Sequence, residues 1–147
     1  MLLRTHFIIA VLFLLLLQPV GLLFGIGFIL ATFFVDIDSK KSRMGNHWYL
    51  RPVQWIVSHR GAFHTLLFAS LISAVIYFFN NFLGIGFFVG YILHLFLDCL
   101  TMNGVKLFWP ISNIKISFFV KSGGLLEEII FVLVLLADIF IAVKMFF

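Results

Sequence analysis

Long apolar stretches alternate with polar segments along the chain, a pattern typical of membrane helices. Residues 5–35 are almost uninterrupted apolar sequence. As a single helix rising about 1.5 Å per residue, this stretch would exceed a hydrocarbon core of about 30 Å. Pro19 removes a backbone donor and disfavours helix at the residue before it, which predicts two short helices joined by a tight hairpin. With three later stretches, the pattern predicts five spans, at about 5–17, 20–35, 62–79, 82–100 and 125–145.

Two polar segments, residues 36–61 and 101–124, separate these spans and carry most of the basic residues. With five spans, both segments and the N-terminus lie on one side of the membrane. Cytoplasmic loops carry an excess of lysine and arginine, so this side is predicted to be cytoplasmic and the C-terminus external. Lys144 alone falls on the other side, and the cytoplasmic side holds Arg4, Lys40, Lys41, Arg43, Arg51, Arg60, Lys106, Lys115 and Lys121.

The composition excludes a water-soluble globule. Of the 147 residues, 63% are hydrophobic and 11% are charged, and the mean hydropathy is +1.19. Soluble domains have about 45–50% apolar and about 25% charged residues. Cys99 is the single cysteine, which excludes a disulfide-stapled module. We therefore expect one integral membrane domain over residues 1–147, an all-α polytopic helix bundle in the cell membrane, with the lipid bilayer and no nucleic acid as its partner.

Histidines and acids gather at one predicted membrane face, although they come from five places in the sequence. They lie where the first three spans begin or end on the cytoplasmic side, and near the cytoplasmic ends of the last two. Ionisable residues inside spans are costly and are usually functional. The set comprises His6, Asp36, Asp38, His59, His64, His94, Asp98, Glu127 and Glu128.

The spacing within this set suggests ligands for a divalent metal. His94 and Asp98 are four residues apart and share a helix face, which Thr101 continues. Imidazole and carboxylate together suit zinc, manganese or iron. Asp36 and Asp38 offer two carboxylates at a helix end. Elsewhere, the small-residue pairs Gly21/Gly25 and Gly86/Gly90 predict close helix packing.

Four sequence blocks carry a resemblance to a known family. Residues 59–65, HRGAFHT, and residues 90–98, GYILHLFLD, followed by Thr101, a Gly-Val pair and a Trp-Pro pair, resemble the HRG-x-THS and GY-x-x-H-x-x-x-D motifs of the YdjM family of predicted membrane-bound metal-dependent hydrolases. His6 and the Asp36–Asp38 pair fall where that family has an early histidine and its PDxDH element. The chain departs from the motifs at Val35, Ser39, Phe63, Thr65 and Met102.

The resemblance and the residues together imply a metal-dependent hydrolase at the cytoplasmic membrane face. Its metal would be zinc first, with manganese or iron as alternatives, held by a subset of His6, Asp36, Asp38, His59, His64, His94 and Asp98. Asp36, Asp38 and Thr101 are candidate catalytic residues, and Arg60 is a candidate for binding an anionic group because its planar fork matches phosphate. A lipid phosphoester or another phosphoester is the expected substrate, since the site would open at headgroup depth.

Two other classes of function stay open from the sequence. The same acids and histidines could serve a proton or ion translocator, for which Asp138 is the acid that lies away from the cytoplasmic end. They could also hold a structural metal in a binding or assembly protein. Structural zinc sites are usually closed by four protein ligands, whereas catalytic sites leave a position for water.

Overall fold

The computed structural model describes residues 1–17, 21–38, 48 and 61–146. Within these ranges the fold is all-helical, which confirms the predicted class, and two 3₁₀ turns lie at Val35–Asp38 and Ala62–His64. The α-helices are α1 (Leu3–Leu16), α2 (Leu22–Phe34), α3 (Leu66–Phe79), α4 (Asn81–Cys99) and α5 (Leu125–Phe146).

Capping residues explain where the middle helices begin. The third helix starts at Leu66, four residues later than predicted, because Thr65 Oγ1 accepts the backbone N–H of Phe68 at 3.2 Å and so acts as its N-cap. Asn80 does the same for α4 by accepting the N–H of Leu83 at 2.9 Å. The predicted break at Pro19 agrees with the gap between Leu16 and Leu22, although Pro19 itself lies outside the described residues.

Helix length distinguishes α4 from the others. At 19 residues, α4 is the one helix in the described ranges that is long and apolar enough to cross a membrane. The helices α1 and α3 have 14 residues each and α2 has 13, and all three are apolar. The 22-residue α5 carries Glu127, Glu128, Asp138 and Lys144. The structure therefore supports five helices, of which one has the length and composition of a complete span.

Two apolar clusters pack on either side of α4. The first joins α2, α3 and α4 through Ala31, Ala69 and Tyr91, each fully buried. The second joins the start of α1 to α4 and α5 through Ile9 and Leu97. Helix α4 is therefore the central element, because it contributes residues to both clusters.

Glycines bring α2 and α4 into direct backbone contact. A Cβ added at Gly90 would lie 2.3 Å from the carbonyl oxygen of Phe28, and one added at Gly86 would lie 2.1 Å from that of Phe24. The predicted packing role of this pair agrees with the structure. The prediction for Gly21 and Gly25 was wrong, because an added Cβ at either position meets no atom within 4 Å.

The glycine geometry gives a matched pair of substitutions. We expect Gly90→Ala to destabilise the protein by about 1–3 kcal/mol, because the methyl group overlaps a backbone atom that cannot rotate away. Gly25→Ala meets open space in a helix and is expected to be neutral or to stabilise by up to about 1 kcal/mol. Thermal unfolding of both variants in the same detergent checks this, and equal effects would contradict the α2–α4 contact.

Candidate metal centre

Four segments that are distant in sequence place five ionisable side chains together. His6 lies in the second turn of α1, Asp36 follows α2, His64 precedes α3, and His94 and Asp98 lie in the last turns of α4. The three histidines and Asp98 are at most 2% exposed, and Asp36 is 9% exposed. Because α1 and α2 form a hairpin, the beginning of α1 and the end of α2 return to the same end of α4.

The carboxylate of Asp98 is at the middle of this cluster. Its Oδ1 lies 3.5 Å from Nε2 of His6, and its Oδ2 lies 3.4 Å from Nε2 of His64 and 4.0 Å from Nε2 of His94. Nε2 of His94 also faces Oδ1 of Asp36 at 3.8 Å. Two sets of three donor atoms therefore lie within 4.8 Å of one another, His6–His94–Asp98 and Asp36–His64–His94.

Two of these separations match those between neighbouring ligands of a metal ion. Ligand bonds of about 2.0–2.1 Å place neighbouring donors of a tetrahedral ion about 3.3–3.4 Å apart. The 3.5 Å between His6 and Asp98 is long for a hydrogen bond, and both ring nitrogens of His94 lack a hydrogen-bond partner within the described residues. Buried polar atoms nearly always have a partner. The two nitrogens of His94 are therefore candidates for binding a cation.

The tautomer of His6 also fits a ligand role. Its Nδ1 lies 3.1 Å from the carbonyl oxygen of Leu2, one turn earlier in α1. A carbonyl only accepts hydrogen bonds, so Nδ1 carries a proton, and in the neutral imidazole Nε2 has a lone pair directed at the cluster. Metal-binding histidines are commonly oriented in this way, with the other ring nitrogen donating to a carbonyl or carboxylate.

Ring packing holds the imidazoles in place. The rings of His6 and His94 stack with centroids 4.1 Å apart, and His64 meets His94 edge-on at 5.9 Å. Next to this group, the buried Tyr91 donates a hydrogen bond from its hydroxyl to the carbonyl of Phe63, which lies in the same turn as His64. The donor side chains are therefore positioned by packing from three segments of the chain.

The other predicted site residues are not among these donor atoms. Thr101 lies elsewhere in the structure, and the side chains of the rest are not among those that the structure describes. Thr101 is buried beyond the end of α4, where its hydroxyl donates to the carbonyl of Asp98 at 2.7 Å and accepts the N–H of Gly104 at 3.3 Å. These bonds hold the C-terminal end of α4, and a catalytic role for Thr101 stays a prediction. Asp38 ends its 3₁₀ turn, and its side chain is outside the description, as are His59 and Arg60.

Two groups at the cluster were not in the predicted site. The amino group of Met1 donates to Oδ1 of Asp98 at 2.6 Å, so this carboxylate also faces a positive charge. Glu127 is completely buried beside the start of α1, whereas Glu128 is exposed and pairs with Arg4. The sequence grouped both glutamates with the histidines, and Glu127 does lie against the start of the helix that carries His6, but adjacent residues of the same type carry no signal that tells which one is buried.

Known proteins match this chain over most of its length. The model of the family described as YdjM inner membrane protein matches residues 1–146. The Inner membrane protein YdjM of Escherichia coli (strain K12) is 34% identical over 91 residues, which cover 56% of this chain and 46% of that protein. YvsG of Bacillus subtilis is 27% identical over 100 residues, 65% of this chain and 62% of that protein. The matches thus span about half of these relatives' length, and no solved structure matches the chain.

Apolar helices packed around a buried group of histidines and aspartates define a helical membrane protein with a candidate metal centre. Because the family model covers nearly the whole sequence, the chain belongs to the YdjM inner membrane protein family. The resemblance read from the histidine and aspartate motifs is thereby confirmed, and so is a location in a membrane.

Proposed function

We propose that this protein is a membrane-bound, metal-dependent hydrolase acting on a lipid phosphoester. The observation that carries the proposal is the buried cluster, in which Nε2 of His6 and Nε2 of His94, neither with a hydrogen-bond partner within the described residues, face the carboxylate of Asp98. The metal ligands in this proposal are His6, His94 and Asp98, one of the two close sets of donor atoms, and three protein ligands leave a coordination position for water. Such nitrogen-rich donor sets suit zinc, with manganese and iron as alternatives.

The cluster is built for one metal ion. The same nitrogen of His94, Nε2, faces both Asp36 and Asp98 and belongs to both sets of donor atoms. An imidazole nitrogen has one lone pair and coordinates one ion, so the two sets compete for one ligand. We therefore assign a single divalent cation to the described residues.

Asp36 is the residue best placed to accept a proton. Its side chain is 13% exposed, against at most 3% for the other four, so it forms the rim of the cluster. The chemistry that a bound divalent cation supplies is polarisation of a phosphoryl oxygen and a lowered pKa of water. Asp36 would then act as the general base that takes a proton from the water attacking phosphorus, and it would return this proton to the oxygen that leaves when the ester P–O bond breaks.

The segment after α4 supports a substrate at headgroup depth. This segment begins at Thr101, three residues after Asp98. Between Asp98 and Glu127 the sequence contains three lysines and no acid. Large apolar side chains such as Ile111 and Phe119, 92% and 76% exposed, stand beside these lysines. Exposed apolar groups beside lysines favour the interface of an anionic bilayer, where each base adds about 1 kcal/mol of attraction. A phosphoester in a lipid headgroup is thus within reach of the cluster.

We further propose that the helices make a polytopic bundle with the cluster facing the cytoplasm. Support comes from α1 and α5, which run in the same direction: Arg4 pairs with Glu128, and Ile9 packs in the same cluster as Val134. Both helices therefore begin at the end of the bundle that carries the histidines and, by sequence, most of the bases. The short α1 and α2 are accommodated by local thinning of the bilayer.

A structural metal site is the second candidate. It is favoured by the burial of His64, whose Nε2 lies 3.4 Å from Asp98, because a fourth buried protein ligand would give the closed set of a structural zinc site. In the hydrolase Asp36 acts as a general base, whereas in a structural metal site it has no catalytic role. The two functions are separated by turnover, since a structural metal stabilises the protein without hydrolysing a substrate.

Phosphate release from sided membrane vesicles tests the proposed function. Vesicles containing the protein and phosphatidic acid are expected to release inorganic phosphate. In inside-out vesicles, the membrane-impermeant chelator EDTA should stop release, and added Zn²⁺ or Mn²⁺ should restore it. Right-side-out vesicles should resist EDTA because their cluster faces the lumen. Metal-bound protein that releases neither inorganic phosphate from phosphatidic acid nor glycerol or glycerol phosphate from phosphatidylglycerol would favour the structural site instead.

A further inference from the structure

Glu127, a buried carboxylate that is not among the grouped donor atoms, links the first turns of two helices. We propose that Glu127 is a positioning residue for the ligand His6, an inference that rests on the metal centre of the proposed function. Glu127 is 0% exposed, although acidic side chains are almost never fully buried without partners. Its neighbour Glu128 lies at the surface in an ion pair with Arg4.

Both oxygens of Glu127 accept backbone hydrogen bonds at helix N-termini. Oε1 accepts the N–H of Leu2, the N-cap of α1, at 2.6 Å, and Oε2 accepts the N–H of Gly123, just before α5, at 2.7 Å. Leucine has no side-chain oxygen and cannot cap a helix. In a capping box, a glutamate of the same helix accepts the backbone N–H of the N-cap residue; here Glu127, from a different helix, accepts it. Its negative charge also lies at the positive ends of two helix dipoles.

The bond to Leu2 continues directly to the metal ligand. The carbonyl of Leu2 accepts the backbone N–H of His6 at 3.2 Å and its ring Nδ1 at 3.1 Å. Leu2 therefore connects the two side chains: its N–H donates to Glu127, and its C=O accepts the proton on Nδ1 of His6. Removing the carboxylate frees the first turn of α1, and His6 then loses the orientation that directs Nε2 at Asp98.

The expected consequence is a specific loss of metal affinity. Outer partners of metal-binding histidines typically contribute about 10–100-fold to affinity. Glu127→Gln keeps the size of the side chain but replaces one acceptor oxygen by a donor, which cannot bond to either N–H group. Zn²⁺ affinity, measured in detergent micelles against a chromogenic chelator, should fall by about 10–100-fold. Glu128→Gln, the matched control one residue away, should leave it within about twofold.

A double-mutant cycle separates positioning from general support of the fold. If Glu127 acts through His6, then Glu127→Gln should weaken Zn²⁺ binding little further in a His6→Ala background. Equal losses with and without His6 would overturn the proposal, because a merely structural role lowers affinity in both backgrounds.

The tautomer of His6 gives a readout that needs no metal. In metal-free wild-type protein, ¹⁵N NMR should show the proton of His6 on Nδ1, and Glu127→Gln should abolish that single state while Glu128→Gln preserves it. An unchanged His6 signal in Glu127→Gln would overturn the positioning role even if wild-type protein binds Zn²⁺. Wild-type protein that binds no Zn²⁺ but shows the expected tautomer shift would overturn the metal centre, and with it the role of Glu127 in metal binding.

Discussion

Replacing Asp98 with asparagine is expected to lower the affinity for Zn²⁺ by more than about 100-fold, beyond the loss typical of an outer partner. Asp98 faces all three buried histidines, with its oxygens 3.4–4.0 Å from their Nε2 atoms. The amide has the same shape but lacks the negative charge that balances the cation. Competition with a chromogenic chelator, on detergent-solubilised protein, measures the change.

Asp138→Asn is the control for Asp98→Asn. Asp138 is also a buried acid, 8% exposed, but it lies in α5, forty residues along the chain and outside both sets of donor atoms. Its replacement should leave Zn²⁺ affinity unchanged. His94→Ala should reproduce the loss seen with Asp98→Asn, because His94 belongs to both sets. Wild-type affinity in the Asp98→Asn and His94→Ala variants would contradict this ligand assignment.

Replacing Asp36 with asparagine is expected to separate catalysis from metal binding. General-base catalysis contributes about 10²–10⁴-fold, so kcat for phosphate release should fall by that factor. Zn²⁺ affinity should stay within about tenfold of wild type, since Asp36 lies at the rim and outside the set of donor atoms formed by His6, His94 and Asp98. The measurements are the initial rate of phosphate release and the Zn²⁺ titration of the same preparation.

Two other results for Asp36→Asn carry different meanings. A loss of Zn²⁺ binding as large as that of Asp98→Asn would make Asp36 a metal ligand and would require another base. Full activity would remove Asp36 from the chemistry. Glu128→Gln serves as the control acid, because it is exposed, belongs to neither set of donor atoms and should retain full activity.

The helices were predictable where apolar length, proline and capping residues set them. Pro19 marked the break between α1 and α2, and Asn80 marked the turn before α4, because both act locally on the backbone. The start of α3 was predicted four residues early, since Ala62 and Phe63 are apolar but form a 3₁₀ turn ahead of the Thr65 cap. Hydrophobicity alone does not distinguish these two helical forms.

Packing partners were less predictable, because they depend on which helix faces arrive together. The pairs Gly21/Gly25 and Gly86/Gly90 have the same spacing, yet only the second contacts the backbone of a neighbouring helix. Likewise, Glu127 and Glu128 are identical in type and adjacent, but the rotation of α5 buries one and exposes the other. Both distinctions are tertiary and need the assembled bundle.

Much of the candidate site could be predicted because charge is so scarce in this chain. Placing His6, Asp36 and His94 at one face required only the hairpin and the number of spans. The proposal of one metal ion in place of one or two required the distances from Nε2 of His94 to Asp36 and Asp98. His59 and Arg60 lie outside the described residues, so their predicted roles remain predictions.

Metal content tests the central claim most directly. Protein purified without chelators from metal-replete cells, analysed by mass spectrometry of its bound metals, should contain one zinc, manganese or iron ion per chain. Asp98→Asn purified in parallel should contain less than a tenth of that amount, and Asp138→Asn should match wild type. Wild-type protein that carries no stoichiometric metal, and that takes up none from added Zn²⁺ or Mn²⁺, would contradict the account.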